Sequence, residues 1–145
     1  MPTRMADATL DLAAISAAVD RYFANFNGED YRAVAALFED DGALLAPFEE
    51  PIVGPEAIYV YLQAEAINMR ATPLEVEVSP DSRASLLASS AEHFHRQVVV
   101  KGYVKTLLFT VNVRWTFELT TDDTIQAAEI KLLASLQDLM QFERN

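Results

Sequence analysis

Apolar residues recur at three- and four-residue spacing near the start of the chain, at Leu12, Ile15, Val19, Phe23 and Phe26, with Tyr22 beside the stripe. That period predicts one amphipathic helix. Asn27-Gly28 is its C-terminal stop. Tyr31, Val34, Leu37 and Phe38 share one face of a second, short helix, which Asp40-Asp41-Gly42 closes. A short extended segment follows over Ala43 to Leu45, broken at Pro47 and restarting at Pro51. Gly54-Pro55 opens a third helix, with the proline near the first helical position, where its missing N–H costs little. Ile58, Leu62 and Met69 mark its buried face, Glu65 lies close to that face, and Thr72-Pro73 stops it.

The second half changes period. Leu74 to Val78 alternates apolar and charged residues and reads as a strand. The small, polar stretch SPDSRASLLASSAEH, spanning 79–93, reads as a loop or an irregular hairpin end. Phe94 to Phe109 is rich in β-formers, with Gly102 a candidate bulge. Val111, Val113, Trp115, Phe117 and Leu119 then alternate with Asn112, Arg114, Thr116 and Glu118, the cleanest period-two signal in the chain. Thr121-Asp122-Asp123 predicts a turn, Ile125 to Leu133 a last strand, and Leu136 to Phe142 a short C-terminal helix. Helices followed by a run of strands predict an α+β fold: N-terminal helices packed on a curved, mainly antiparallel sheet, forming a cone with an apolar cavity.

A length of 145 residues predicts a single domain over 1–145, and 51% hydrophobic residues suffice for one real core. Acids outnumber bases 22 to 11, for a formal charge of -11. That sign excludes a nucleic-acid partner, which needs a basic patch, and counts against docking on an anionic membrane. It leaves a hydrophobic small molecule open. With no cysteine, disulfides, thiol catalysis and zinc–thiolate sites are excluded. The acids at Asp7, Asp11 and Asp20 interrupt any secretory apolar run, and no stretch reaches the length of a membrane span. The expectation is a cytoplasmic protein with no stable membrane insertion.

The stretch YFANFNGEDYRAVAALFEDDGALLAPFEEPIVGPEAI resembles the nuclear-transport-factor-2-like superfamily, in its helix, LF-x-x-D-G, proline-bounded strand and G-x-x-A-I order. That superfamily includes ketosteroid isomerases and SnoaL-like polyketide cyclases, so the resemblance implies a fold more than a function. A narrower similarity runs from Val19 to Arg144. It is carried by ALFEDDGALLAPFEEPIVG, TLLFTVNVRWTFEL and IKLLASLQDLMQFER. These are similar to the C-terminal domain of the orange carotenoid protein family and its stand-alone homologues, which bind ketocarotenoids. The chain departs from that pattern in a longer 79–93 loop, a shorter turn before the tryptophan strand, Leu136 in place of a proline, and Ala66 in place of a cysteine. The last departure excludes a disulfide-linked dimer of that kind.

The resemblance implies that Tyr22 and Trp115 donate hydrogen bonds to a ligand's ring carbonyl. Both have an apolar body and one polar tip, suited to a buried carbonyl. Periodicity alone makes them ordinary core aromatics; only the resemblance gives them a ligand. Leu45, Ala46 and Phe48 then present cavity wall, joined by Val113 and Phe117 on the Trp115 strand face. In isomerase-like relatives the proton-shuttling acid falls at Ala46, which cannot carry a proton. An isomerase-like or cyclase-like enzyme on a small apolar substrate is therefore the second reading, with no catalytic residue assigned. Glu65 is either a boundary residue reaching water or, by the resemblance, part of a partner-facing surface. His93 and His95 share a strand face, but no third ligand is near in sequence, and no metal is expected. The combined expectation is a carrier of a ketocarotenoid, with a possible photoprotective role. It would act as a homodimer, or with a helical carotenoid-binding partner protein covering the protruding end of the pigment.

Overall fold

Ser16 cuts the N-terminal apolar stripe in two. In the computed structural model, which describes residues 11–79 and 96–133, the stripe forms α1 (Leu12–Ile15) and α2 (Ala17–Asn27) rather than one helix. Ser16 sits between them in extended backbone, at φ -161° and ψ 122°, and its hydroxyl accepts from the Val19 N–H at 3.1 Å. A serine offers the backbone this alternative to continued helix. α3 (Tyr31–Ala35) is capped by the Asp30 carboxylate, and α4 (Pro55–Glu65) starts after Gly54, whose φ of 94° favours glycine.

Six strands complete the fold: β1 (Phe38–Leu45), β2 (Ile52–Val53), β3 (Arg70–Ser79), β4 (Arg96–Lys105), β5 (Thr110–Leu119) and β6 (Ile125–Leu133). They form one sheet in the order β2-β1-β6-β5-β4-β3, open at both edges and not closed into a barrel. β1 and β6 run parallel; every other neighbouring pair is antiparallel. The α+β class, the antiparallel bias and the β5, turn and β6 assignments agree with the sequence pattern.

Two boundaries do not. The acidic stretch at Glu39–Asp41 belongs to β1, not to the end of a helix. Its side chains find partners on the neighbouring strand β6 and in the turn just before it: Thr124 donates to Glu39, and Gln126 Nε2 donates to Asp41 Oδ1 at 3.0 Å. These contacts come from residues far along the chain, so local propensity gives way to tertiary pairing. α4 ends at Glu65, before Met69, and β3 runs through Thr72-Pro73. The proline is tolerated because β3 is an edge strand and its register with β4 shifts between Pro73 and Glu75. The irregularity expected at Gly102 lies opposite it: a Cβ on Gly102 would stand 2.0 Å from the Thr72 carbonyl oxygen.

The helices pack on one face of the sheet. Val19, Tyr22, Phe23 and Phe26 of α2, Val34 of α3, and Ile58 and Leu62 of α4 meet Leu44, Val98, Val100, Val113, Trp115, Phe117 and Ala128 in one core. Each large side chain fully buried there contributes about 1.5–3 kcal/mol. Three polar links hold the layers in place. Asn27 mimics a strand residue, accepting from the Ala71 N–H at 2.7 Å and donating to its carbonyl at 2.9 Å. The Tyr31 hydroxyl donates to the Ala66 carbonyl at 2.9 Å, beyond the end of α4. Asp123, in the β5–β6 turn, accepts from the Ser16 hydroxyl and the Ala18 N–H at the start of α2. The loop expected over 79–93, His93, His95 and the helix expected at Leu136 to Phe142 lie outside the described residues, save for Ser79 at the end of β3.

Candidate functional site

α2 and β5 build the site between them. Tyr22, Phe23 and Phe26 recur on the inner side of α2, while the two-residue period of β5 turns Val113, Trp115 and Phe117 toward that helix. Tyr22 is 0% exposed and Trp115 is 2% exposed. Tyr22 stands edge-on to Phe117, with centroids 5.0 Å apart, and Phe23 stands edge-on to Trp115 at 4.8 Å. Phe23 also meets Tyr22 edge-on at 5.2 Å, so it touches both candidate donors. These T-shaped contacts suit the quadrupoles of the rings.

One atom in this cluster is out of balance. The Tyr22 hydroxyl is buried and has no hydrogen-bond partner among the described residues. Burial, with a smaller contribution from nearby Tyr61, holds its pKa well above the ordinary tyrosine range, so the phenol is a neutral donor. A buried hydroxyl left unpaired costs about 1–3 kcal/mol. An acceptor brought in by a neutral, apolar ligand would remove that cost, and a carbonyl is the simplest such acceptor.

The remaining expected residues separate. Val113 and Phe117 are buried beside Trp115. Ala46 is buried after the end of β1, and its carbonyl accepts from the Glu49 N–H in the following turn. Leu45 is half-buried and pairs with Glu129, which puts it on the opposite sheet face from Leu44. Phe48 does not serve as wall: it is 96% exposed on that turn, at φ 67°. The turn lifts it off the sheet, and alternation beyond Pro47 no longer predicts its direction. Glu65 is exposed at the end of α4.

Tyr61 went unassigned in the sequence pattern. It falls three residues after Ile58, on the same side of α4, and this spacing was the available signal. It is half-buried, it acts electrostatically on Tyr22, and burial, then Glu49 and Glu65, raise its pKa. Open clefts of ≈ 230 Å³ beside Gly102 and Asn112, and of ≈ 270 Å³ between Arg32 and Tyr59, lie elsewhere and include neither Tyr22 nor Trp115. Among the described residues no three His, Cys, Asp or Glu side chains come together as metal ligands, and no helix is long and apolar enough to cross a membrane.

The chain is 33% identical over 133 residues to the orange carotenoid-binding protein of Synechocystis sp., an alignment covering 89% of this chain and 39% of that protein. It is 31% identical to the protein of the same name from Limnospira maxima, over 83% of this chain and 36% of that one. The chain therefore spans well under half the length of these relatives, and it is homologous to their C-terminal domain. Among solved structures, it superposes on the orange carotenoid protein of Anabaena (Nostoc) sp. binding canthaxanthin with a TM-score of 0.72 at 32% identity, covering 87% of this chain and 38% of that chain. An epoxide hydrolase/cyclase-like enzyme of salinomycin pyran-ring formation shares the fold at 16% identity and a TM-score of 0.63, covering 83% of this chain and 90% of that one. The model of the nuclear transport factor 2 (NTF2) domain matches residues 14–128, and the chain belongs to that family.

Proposed function

We propose that the protein binds and carries a hydrophobic ligand bearing a ring carbonyl, a ketocarotenoid, without turning it over. The observation that carries this reading is the buried Tyr22 hydroxyl, without a hydrogen-bond partner among the described residues, in an aromatic cluster that includes Trp115. The residues fit such a group. Tyr22 donates to the carbonyl oxygen, Trp115 donates from the strand opposite, and Val113, Phe117 and Ala46 give apolar surface to the ring. Phe23 touches both donors, and a carbonyl seated between them would require its ring to move aside. When bound, the pigment would supply visible absorption and a route for excited-state quenching. Canthaxanthin in the Anabaena structure supports the ligand class.

A ketocarotenoid is longer than one domain of this size is deep. Its protruding polyene is costly in water at ~25 cal/mol per Å². We place the protruding part in a second protomer or a helical partner protein, with exposed Glu65 on the partner-facing side. The enzyme-like neighbour shares only the fold, and Ala46 offers no proton-transfer group where an isomerase-like acid would stand.

The test is a visible absorption spectrum of protein purified from cells that make canthaxanthin, recorded beside Tyr22→Phe and Trp115→Phe. The expected result is a broad, red-shifted carotenoid band that shifts to the blue or disappears in the variants. A colourless protein would overturn the reading.

A further inference from the structure

The turn between β4 and β5 carries Leu107, Leu108 and Phe109, which are 79%, 88% and 58% exposed. Hairpin turns ordinarily take Gly, Asn, Asp or Pro, whose backbone preferences and local hydrogen bonds suit the turn, and not a run of large apolar residues. Here the apolar residues are displayed rather than left loose. The Thr106 N–H and hydroxyl both donate to the Phe109 carbonyl, at 2.8 and 3.0 Å. The same hydroxyl accepts from the N–H groups of Leu108 and Phe109. The result is a fixed, exposed apolar tip, and an exposed apolar patch rimmed by polar residues marks a protein or membrane interaction site.

A strip of cations runs away from this tip. Arg70 pairs with Lys105, Lys101 with Arg114, and Arg114 with Lys131. Directly paired residues project from the same sheet face, and alternation from Trp115 puts Arg114 on the face away from the helices. Five of the chain's 11 basic residues therefore share the tip half of one face, and none of the five makes an ion pair among the described residues. Glu75, opposite Lys101, is the acid paired into these rows. Like charges opposed across strands are destabilising, so the fold itself does not call for the row Lys101, Arg114 and Lys131.

From the apolar tip and the cationic strip together, we infer that this face docks on an anionic phospholipid surface, with Leu107, Leu108 and Phe109 entering the acyl boundary and the strip lying on the headgroups. The net charge of -11 opposes such a surface only as an average. Screening within ~8–10 Å limits the interaction to charges near the membrane, and among the described residues the cations outnumber the acids there. The contact is peripheral and reversible, unlike a spanning helix. It is independent of what the interior binds.

The experiment is co-sedimentation of the intact, pigment-free chain with vesicles of phosphatidylcholine alone or mixed with phosphatidylglycerol, with the oligomeric state followed by light scattering. The chain is expected to partition onto the mixed vesicles and to be released by salt. The variant Leu107→Ser/Leu108→Ser/Phe109→Ser should lower partitioning by about tenfold or more, and so should Lys101→Gln/Arg114→Gln/Lys131→Gln. All six positions lie outside the aromatic cluster, so each variant reports separately from the other. Equal binding to both vesicle types, no binding, or binding unchanged in the tip variant would overturn the inference. So would a tip variant that only turns an oligomer into a monomer, which would make the tip a contact between copies of this chain.

Discussion

The ring of Tyr22 stands edge-on to Phe117 at 5.0 Å, while its hydroxyl is buried with no acceptor among the described residues. The ring is well placed and the oxygen is not. Tyr22→Phe should therefore stabilise the pigment-free protein, by up to about 1–3 kcal/mol, while weakening ligand binding. Urea unfolding and pigment titration of the same variant check the two halves. A variant less stable than the parent would mean that the hydroxyl has a partner inside the protein.

Alkaline pH should unfold the protein through the same atom. Burial raises the folded pKa of Tyr22 above its ordinary value of 10.0, so above that pH the unfolded chain releases a proton that the folded chain keeps. The stability is fully present below pH 10.0 and falls as the pH climbs toward the folded value, by about 1.4 kcal/mol per unit for this one group. Urea midpoints measured through this window should fall more steeply for the parent than for Tyr22→Phe. Parallel curves would show that Tyr22 ionises freely in the folded state.

Asp123 joins the β5–β6 turn to the start of α2. It accepts from the Ser16 hydroxyl at 2.7 Å, the Ala18 N–H at 3.1 Å and Arg96 at 3.1 Å, from a backbone at φ 62°. Asp123→Ala loses all three bonds and sets a less tolerant residue at that φ, for an expected cost of roughly 2–4 kcal/mol. Asp123→Asn keeps the tolerance and one acceptor, and should cost less. Equal losses in chemical denaturation would assign the effect to something other than these bonds.

Gly102 faces backbone rather than a flexible side chain. The added Cβ of Gly102→Ala would meet the Thr72 oxygen at 2.0 Å and the Pro73 Cα at 2.9 Å. The β3–β4 pairing must open, at an expected cost of roughly 1–3 kcal/mol. Hydrogen exchange should show lost protection along β3 and β4 before β5 and β6; uniform loss would contradict a local clash.

Phe48 offers a contrast. It is exposed, with a positive φ that side chains disfavour. Phe48→Gly should leave pigment binding unchanged and raise stability by up to about 1 kcal/mol. A spectral change in that variant would return Phe48 to the ligand's surroundings.

Period-two alternation marked β5 because the face carrying Val113, Trp115, Phe117 and Leu119 is buried. That was enough to put Trp115, Val113 and Phe117 together on one inward face. Gly54-Pro55 and Thr121 to Asp123 marked a helix start and a turn, since their backbone preferences are local. The break at Ser16, the strand through Glu39 and Asp41, and the length of β3 were decided elsewhere. Each depends on a partner far along the chain: Asp123 for Ser16, Thr124 and Gln126 for the acids, Gly102 for Pro73. The same holds for the site and the outer face. Family resemblance could suggest Tyr22 as a donor, but only packing could leave its hydroxyl without an acceptor among the described residues. It could count eleven cations, but only strand register could set five of them on one face. Local preferences act over a turn or two of chain, whereas burial and charge proximity are properties of distances that exist only once the chain has folded.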